Sequence, residues 1–364
     1  MLLGLLIIAV GGCLLTNNVR SLSNISLFWL FLVQTIIVGY TSSFVPDYNA
    51  YRALYEFGYK ATTYDKGFLL YMTPFQYAGI SYTGFRILTY SIIFLLLVCS
   101  MRKFSSKNTN LFCILYLFSP FVYDAIQIRN SLMMALLVWS TTFLIDFTKK
   151  RFVISIIFIL LAASIQSLGY IFLIYPLIYI ILRISPKNML KIYIVVIFLM
   201  FIAMMNKTVT NNIIIILGNQ LSSMRGVSNY LQFDRIHNGW IINDLIALFS
   251  FILVYFCYRR IILNNELNKN TKNKITILMA LACVGLLTIP LSFIDGNFLR
   301  ISRNTTFAVY VSFIMYFNLK KGFYISKSIM SILLVVNLVL YITIEFVDVG
   351  PSISYLLYNN NLFN

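Results

Sequence analysis

The sequence predicts an all-α, polytopic integral membrane protein with about 12 transmembrane helices, and three observations carry that prediction. Of 364 residues, 60% are hydrophobic and 11% charged, with a mean hydropathy of +0.85; a water-soluble domain carries roughly 25% charged residues. The charges fall in short clusters between apolar runs of about 17–22 residues. At ~1.5 Å per residue such a run crosses the ~30 Å of hydrocarbon in a bilayer. The clusters also alternate in character along the chain, as loops on opposite sides of a membrane do.

Taken in order, the runs lie at 1–18, 25–42, 84–101, 109–124, 129–147, 152–166, 168–183, 190–206, 240–258, 275–294, 304–319 and 324–345. The stretch 67–82 is too short and polar to assign as a span, which leaves a re-entrant or interfacial segment. The expected organisation is one transmembrane domain, 1–364, with outer-face loops at about 43–83 and 207–240. Val10-Gly11-Gly12-Cys13 resembles a lipoprotein processing site, but no positive charge precedes it, so it reads as an uncleaved first helix. All five cysteines lie within apolar runs, and none forms a CxxC pair or stands beside the single histidine, so no zinc site is expected.

One set of loops carries 18 basic residues and two acids, Asp146 and Glu266; the other carries ten basic residues and nine acids. Positive loops stay in the cytoplasm, so the first set faces in, and the net charge of +17 is a topology signal. No basic stripe stands on a soluble domain, so nucleic acid is not an expected partner. The inner set holds twelve lysines and six arginines, whereas seven of the ten outer basic residues are arginine: Arg52, Arg86, Arg129, Arg225, Arg235, Arg300 and Arg303. A guanidinium meets phosphate or carboxylate oxygens with a planar fork. The outer face is therefore where chemistry is expected.

Four outer elements supply candidates. In 43–66, Asp47 follows Pro46 and is placed to cap a short helix. Tyr48, Tyr51, Tyr55 and Tyr59 recur at helical spacing, either as headgroup-level aromatics or as a platform for sugar rings beside Asp47, Arg52 and Asp65. Next, Asp124, Gln127, Arg129 and Asn130 lie between two apolar runs, where ionisable groups face a bundle interior or a water-filled cavity unless Arg129 simply pairs with Asp124. The 207–240 loop ends with Arg225, Tyr230, Asp234, Arg235 and the only histidine, His237. Finally, Arg300 and Arg303 are three residues apart with no adjacent acid, a spacing that aims two cations to one side of a helix. That suits a diphosphate, or headgroup phosphates at a span end. No phosphate loop, dinucleotide turn or HExxH motif is present, which argues against cytoplasmic nucleotide chemistry.

These residues carry a resemblance. Asp47-Tyr-Asn-Ala-Tyr-Arg52, Tyr64-Asp65-Lys-Gly-Phe68, Gln127-Ile-Arg129-Asn130, Tyr230 and Arg300-Ile-Ser-Arg303 together resemble the Wzy/EpsG group of bacterial polysaccharide polymerases, including O-antigen polymerases. In that group a histidine often follows a small-residue run at the end of a middle span, and here Ala162-Ala-Ser-Ile-Gln166 puts glutamine in the slot. The resemblance implies a GT-C-like glycosyltransferase of the bacterial inner membrane that joins undecaprenyl-diphosphate-linked oligosaccharide repeats on the periplasmic face. It also implies a chain-length regulator and a flippase as partners.

On that expectation Arg129, Arg300 and Arg303 hold the diphosphate, assisted by Arg225 or Arg235. Asp47, Asp65, Asp234 or His237 is the base, and Arg52, Gln127 and Tyr230 complete the substrate-binding set. No metal ion or cofactor is required. An O-antigen ligase would use the same donor. A lipid-linked oligosaccharide flippase would carry polar residues at mid-membrane, where most of these spans are apolar. A membrane acyltransferase would want a second histidine or an acid deep in the bundle.

Overall fold

In hydrocarbon a segment must satisfy its own backbone N–H and C=O groups, so an apolar run becomes a helix. The computed structural model describes residues 2–16, 20–58, 64–184, 186–206, 240–294, 296–319, 324–358, 360 and 362. Arg225, Tyr230, Asp234, Arg235, His237 and the seventh acid of the outer set, Asp295, lie outside the described residues. The first half folds as α1 (Leu2–Thr16), α2 (Arg20–Gly39), α3 (Tyr48–Phe57), α4 (Lys66–Tyr77), α5 (Tyr82–Phe104), α6 (Thr109–Phe118), α7 (Phe121–Ile126), α8 (Ile128–Thr142) and α9 (Lys149–Ile165). A 3-10 turn, Ser167–Leu173, leads into α10 (Ile174–Ile184) and α11 (Pro186–Met205). Then come α12 (Trp240–Leu263), α13 (Lys269–Leu286), α14 (Thr288–Leu291), a second 3-10 turn (Gly296–Leu299), α15 (Arg300–Asn304), α16 (Thr306–Phe317) and α17 (Tyr324–Leu357). Among the described residues there is no strand.

Six stretches of the described residues are long and apolar enough to cross a membrane: Leu22–Gly39, Tyr82–Phe104, Ser167–Ile184, Ile241–Leu263, Lys269–Leu291 and Lys327–Val347. Three shorter apolar helices accompany them, at Leu2–Thr16, Thr109–Phe118 and Leu190–Met205. Their outward faces carry Ile8, Leu15, Val195, Phe198, Ile332 and Val335, all exposed; a water-soluble protein would bury such a belt. This is a multi-pass membrane protein. The helices α1, α2, α5, α8 and α9 pack in series, while α12 and α13 pack together with α10, α16 and α17 around them.

Hydrogen bonds between connections respect the two sets of loops read from charge. At the lysine-rich end Arg102 donates to Asn24 Oδ1 (2.9 Å), Lys274 to Phe104 O (3.1 Å), and Asn108 to Asn318 Oδ1 (2.8 Å). Thr148 and Asn268 cap α9 and α13 there, accepting from Arg151 N and Thr271 N at 3.2 and 2.8 Å. The arginine-rich end is built differently, on breaks in helices.

The run 109–124 is not one helix. Pro120 lacks an N–H and clashes with the preceding turn, so α6 stops at Phe118 and a separate α7 follows. Gln127, with φ −103° and ψ 61°, breaks the path again before α8. Side chains satisfy the freed carbonyls: Tyr310 donates to Ser119 O (2.8 Å), Ser131 to Asp124 O (2.9 Å) and Arg86 to Ala125 O (2.6 Å). Non-helical backbone at this depth requires such partners.

The stretch 67–82 is also settled. Helix α4 has 12 residues, about 18 Å of length, too short to span. Tyr55 Oη donates to Ile80 O (2.8 Å) and Gln76 Nε2 to Tyr55 O (2.6 Å), tying α4 to α3.

The tyrosine stripe of α3 is real, but it is no platform. Tyr48, Tyr51 and Tyr55 are buried, packed on Tyr82, Phe68 and Phe85 at centroid distances of 5.2, 5.9 and 4.8 Å. Burying large aromatic surface between helices outweighs exposing it at the headgroups. Asp47 stands at the N-cap position of α3, yet its φ is 64° and its side chain makes no capping bond.

Candidate functional site

Four helix breaks meet at the arginine-rich end. The first is the start of α4, where Asp65 occupies the N-cap in extended backbone (φ −64°, ψ 134°). Its Oδ2 takes Arg129 Nη1 at 3.3 Å and the Ser167 backbone N–H at 3.4 Å. Arg129 comes from the first turn of α8 and Ser167 from the break after α9, so one carboxylate joins three elements. The pairing corrects the simplest expectation for Arg129: its partner is Asp65, not Asp124. Both side chains are mostly buried, 14% exposed for Arg129 and 16% for Asp65. The Arg129 guanidinium also lies over the Tyr64 ring, 5.2 Å from its centroid, and Tyr64 in turn packs on Tyr51. Burial pushes the Asp65 carboxyl above its ordinary value of 3.8, with the Arg129 charge and the Ser167 N–H pulling against that rise.

The second group is centred on Arg303. Its Nη2 donates to Gln127 Oε1 at 2.6 Å, and its guanidinium stacks on Tyr123 at 4.1 Å from the ring centroid. Gln127 immediately precedes α8, so the two groups share the break between α7 and α8. The Nε of Arg303 is buried with no hydrogen-bond partner. Arg300, one turn earlier and half-buried, is close enough to act on the Arg303 charge; among the described residues it forms no ion pair.

The expectation that no acid adjoins these arginines is corrected. Asp124 and Glu345, distant in sequence, both lie within electrostatic reach of Arg303. Asp124 is fully buried and accepts from Tyr116 Oη at 2.8 Å. A reciprocal amide pair, Asn130 Nδ2 to Asn304 Oδ1 at 2.9 Å and Asn304 Nδ2 to Asn130 Oδ1 at 3.3 Å, locks α8 to α15 behind the site.

Of the residues expected at a site, the structure brings together Asp65, Gln127, Arg129, Arg300 and Arg303. It does not bring in Arg52, which is exposed and pairs with Glu56 one helical turn on at 2.9 Å. Asp47 is exposed at the rim, near enough to Tyr64 to act on its phenol. Arg86, counted among the outer arginines, is a structural clamp. It is fully buried, donating to Val38 O (2.8 Å), Thr41 Oγ1 (2.9 Å) and Ala125 O (2.6 Å). Gln166 was legible only as a departure from the polymerase pattern; it stands 1% exposed at the same break as Ser167.

Close backbone contacts hold this break. A Cβ on Gly169 would meet the Cα and N of Ala163 at 2.7 Å, and one on Gly67 would meet the Ser164 carbonyl oxygen at 2.5 Å. Backbone atoms in packed helices cannot retreat by that much. Gly169→Ala is expected to destabilise the fold by ~1–3 kcal/mol and to pull Ser167 away from Asp65. Thermal unfolding of the detergent-solubilised variant checks the first, and hydrogen exchange at the Ser167 amide checks the second.

Apolar helices of bilayer length, joined at one end by a buried cluster of arginines, a carboxylate and amides, define an all-helical, multi-pass membrane protein. The chain belongs to the EpsG family, which it matches over residues 24–360, nearly its full length. That family is related to the Wzy-like polysaccharide polymerases. No curated protein and no solved structure matches the chain.

Proposed function

We propose that the protein is a polysaccharide polymerase that joins undecaprenyl-diphosphate-linked oligosaccharide repeats by glycosyl transfer on the periplasmic face of the bacterial inner membrane. On this reading the chain forms one transmembrane domain of about 12 spans with GT-C-like architecture and outer loops at 43–83 and 207–240. O-antigen is the expected product class, and a chain-length regulator and a flippase are the expected partners. The observation that carries the reading is the arrangement of Arg303 and Arg300. One guanidinium is oriented by Tyr123 and Gln127 yet keeps a buried Nε–H unused, and a second stands beside it without an ion-pair partner among the described residues. Fixed donors of this kind suit the charge that grows on a departing diphosphate.

In the reaction, an acceptor hydroxyl attacks the anomeric carbon of the donor chain. The new glycosidic bond forms as the bond from that carbon to the phosphate oxygen breaks, and the lipid diphosphate leaves with the electron pair. The hydroxyl proton passes to a base, for which Asp65 is the best-placed described residue. The Arg129 charge favours its ionised form against the effect of burial, and Ser167 N–H keeps it aimed. Asp234 and His237 on the 207–240 loop are the other candidates. The scheme needs no metal ion.

A base works only when deprotonated, so the rate should be full above the Asp65 pKa and fall as pH drops through it. The acid limb is expected above the ordinary 3.8. Arg129→Gln removes the charge that lowers this pKa, and should move the limb to higher pH. Asp65→Asn should lower the rate ~10²–10⁴-fold and abolish the limb. Rates of repeat-unit consumption by the purified protein, measured across pH, check this; an unchanged limb in both variants excludes Asp65 as the base. The activity itself is tested by a glycan ladder. Deletion should leave cores capped with a single repeat, and complementation should restore the ladder. A deletion strain that keeps its ladder overturns the polymerase reading, and one that loses even the single-repeat band points to the flippase or ligase.

A further inference from the structure

Gln166 is buried to within 1% of complete, and neither its Oε1 nor its Nε2 has a hydrogen-bond partner. The hydroxyl of the next residue, Ser167, is likewise buried and unpartnered. Buried side-chain polar atoms are nearly always paired, because leaving them unmade forfeits their hydration. Three such atoms in two consecutive residues are polar groups that this arrangement of the helices leaves unmet.

The position is also well held. Gln166 ends α9 in extended backbone (φ −148°, ψ 124°), its N–H bonded to Ala162 O at 3.0 Å. The Gly169 approach to Ala163 pins the turn that follows, and the Ser167 N–H at 3.4 Å from Asp65 Oδ2 ties it to the carboxylate. The backbone that carries the amide is fixed in this way, which limits what ordering its side chain costs on binding.

The chemistry of the three atoms selects the ligand. An amide oxygen accepts, an amide nitrogen donates twice, and a hydroxyl does either. All are neutral, so they offer little to a phosphate or a cation. They match neighbouring hydroxyls on a sugar ring, each of which both donates and accepts.

We propose that Gln166 and Ser167 form the acceptor-sugar subsite. They hold ring hydroxyls of the incoming repeat so that the neighbouring hydroxyl faces Asp65, while Arg300 and Arg303 hold the donor's diphosphate elsewhere in the site. The inference rests on the polymerase reading and deepens it. It also divides the site into a neutral half that reads the sugar and a charged half that reads the carrier.

The test uses the full-length protein in nanodiscs with two separate probes. One is the oligosaccharide released by mild acid from the lipid-linked repeat of the deletion strain, which lacks diphosphate and so acts only as acceptor. The other is undecaprenyl diphosphate without sugar. With the intact lipid-linked repeat supplied as glycosyl donor for the rate measurements, Gln166→Ala should weaken oligosaccharide binding and raise the acceptor KM about tenfold, one good hydrogen-bonded contact, with undecaprenyl diphosphate binding within twofold of wild type. Arg303→Lys should show the reverse pattern. If Gln166→Ala binds and elongates the oligosaccharide like wild type, the subsite is wrong and the polymerase stands; a buried water on the amide would give this result. Equal loss of both probes with a lowered unfolding temperature makes Gln166 a packing residue, and also overturns the proposal. Wild-type protein that joins intact lipid-linked repeats but does not bind the free oligosaccharide overturns the subsite alone; wild-type protein that does not join lipid-linked repeats defeats the polymerase reading, and the subsite with it.

Discussion

Replacing Arg303 by lysine is expected to lower polymer formation ~10²–10³-fold although the positive charge is kept. Loss of one donor aimed at transition-state charge costs about that much. The reason here is shape. The guanidinium lies 4.1 Å from the Tyr123 ring centroid and donates to Gln127 at 2.6 Å, so its plane is fixed before substrate arrives. An ammonium has no plane to stack and no Nε–H to offer a second oxygen. Lysine is the informative choice because alanine would also strip the cation from between Asp124 and Glu345, both buried, and confuse lost function with lost fold. The measurement is a glycan ladder from a complemented deletion strain, normalised to the level of the protein in membranes. A full-length ladder from Arg303→Lys at normal protein levels would falsify the diphosphate role.

The second large effect is on stability. Arg86→Ala is expected to cost on the order of 3–5 kcal/mol, because hydrogen bonds from a charged donor contribute roughly 1.5–3 kcal/mol each and their buried acceptors would be left unmade. Those acceptors are Val38 O, which also takes Thr41 Oγ1 at 2.8 Å, Thr41 Oγ1 itself and Ala125 O, so a single side chain from α5 ties the end of α2 to α7. The rings of Tyr48 and Tyr82 flank it at 5.5 and 5.8 Å. Little Arg86→Ala should reach the membrane intact, and what does should run as aggregate on size-exclusion chromatography in detergent. Arg52→Ala is the control: that arginine is 51% exposed and its pair with Glu56 lies on the helix surface, where such bridges are worth little. If the two variants behave alike, the clamp role for Arg86 is wrong.

Arg52 and Arg86 show where sequence reasoning stops. Both are arginines of the same loop set with aromatic neighbours; Glu56 four residues on marks Arg52 as half of a surface bridge, but nothing local names what Arg86 holds. What it holds is backbone of α2 and α7, 39 to 48 residues away in sequence. The all-helical, multi-pass character was legible, because hydropathy is local, and the charge sorting of the loops agrees with the contacts the structure makes. The span lengths were less so, since among the described residues six stretches are long and apolar enough to cross and the run 109–124 is two helices. The tyrosine stripe of α3 was legible as a face but not as a buried one, since periodicity states which residues share a side and not what covers it. The pairing of Asp65 with Arg129 spans 64 residues and left no mark in either segment. Pro120 did carry a readable signal, the ring that stops α6, but the break on which Gln127 and Arg129 stand lies beyond α7 and carried none. Gln166 was visible as an anomaly, and only its unpaired amide gives the anomaly a meaning.

The polar cluster draws on residues 64–65, 127–129, 166–167 and 300–303, each at the start or end of a helix and widely separated along the chain. Errors of insertion therefore have a particular outcome. A chain that threads one passage the wrong way strands at least one of Asp65, Arg129 or Arg303 on the far side and leaves the others unmatched. Such a chain lacks the assembled cluster, so on the proposed function it is silent rather than misdirected. Assembly of the site doubles as a check that the whole polypeptide has been laid into the bilayer correctly.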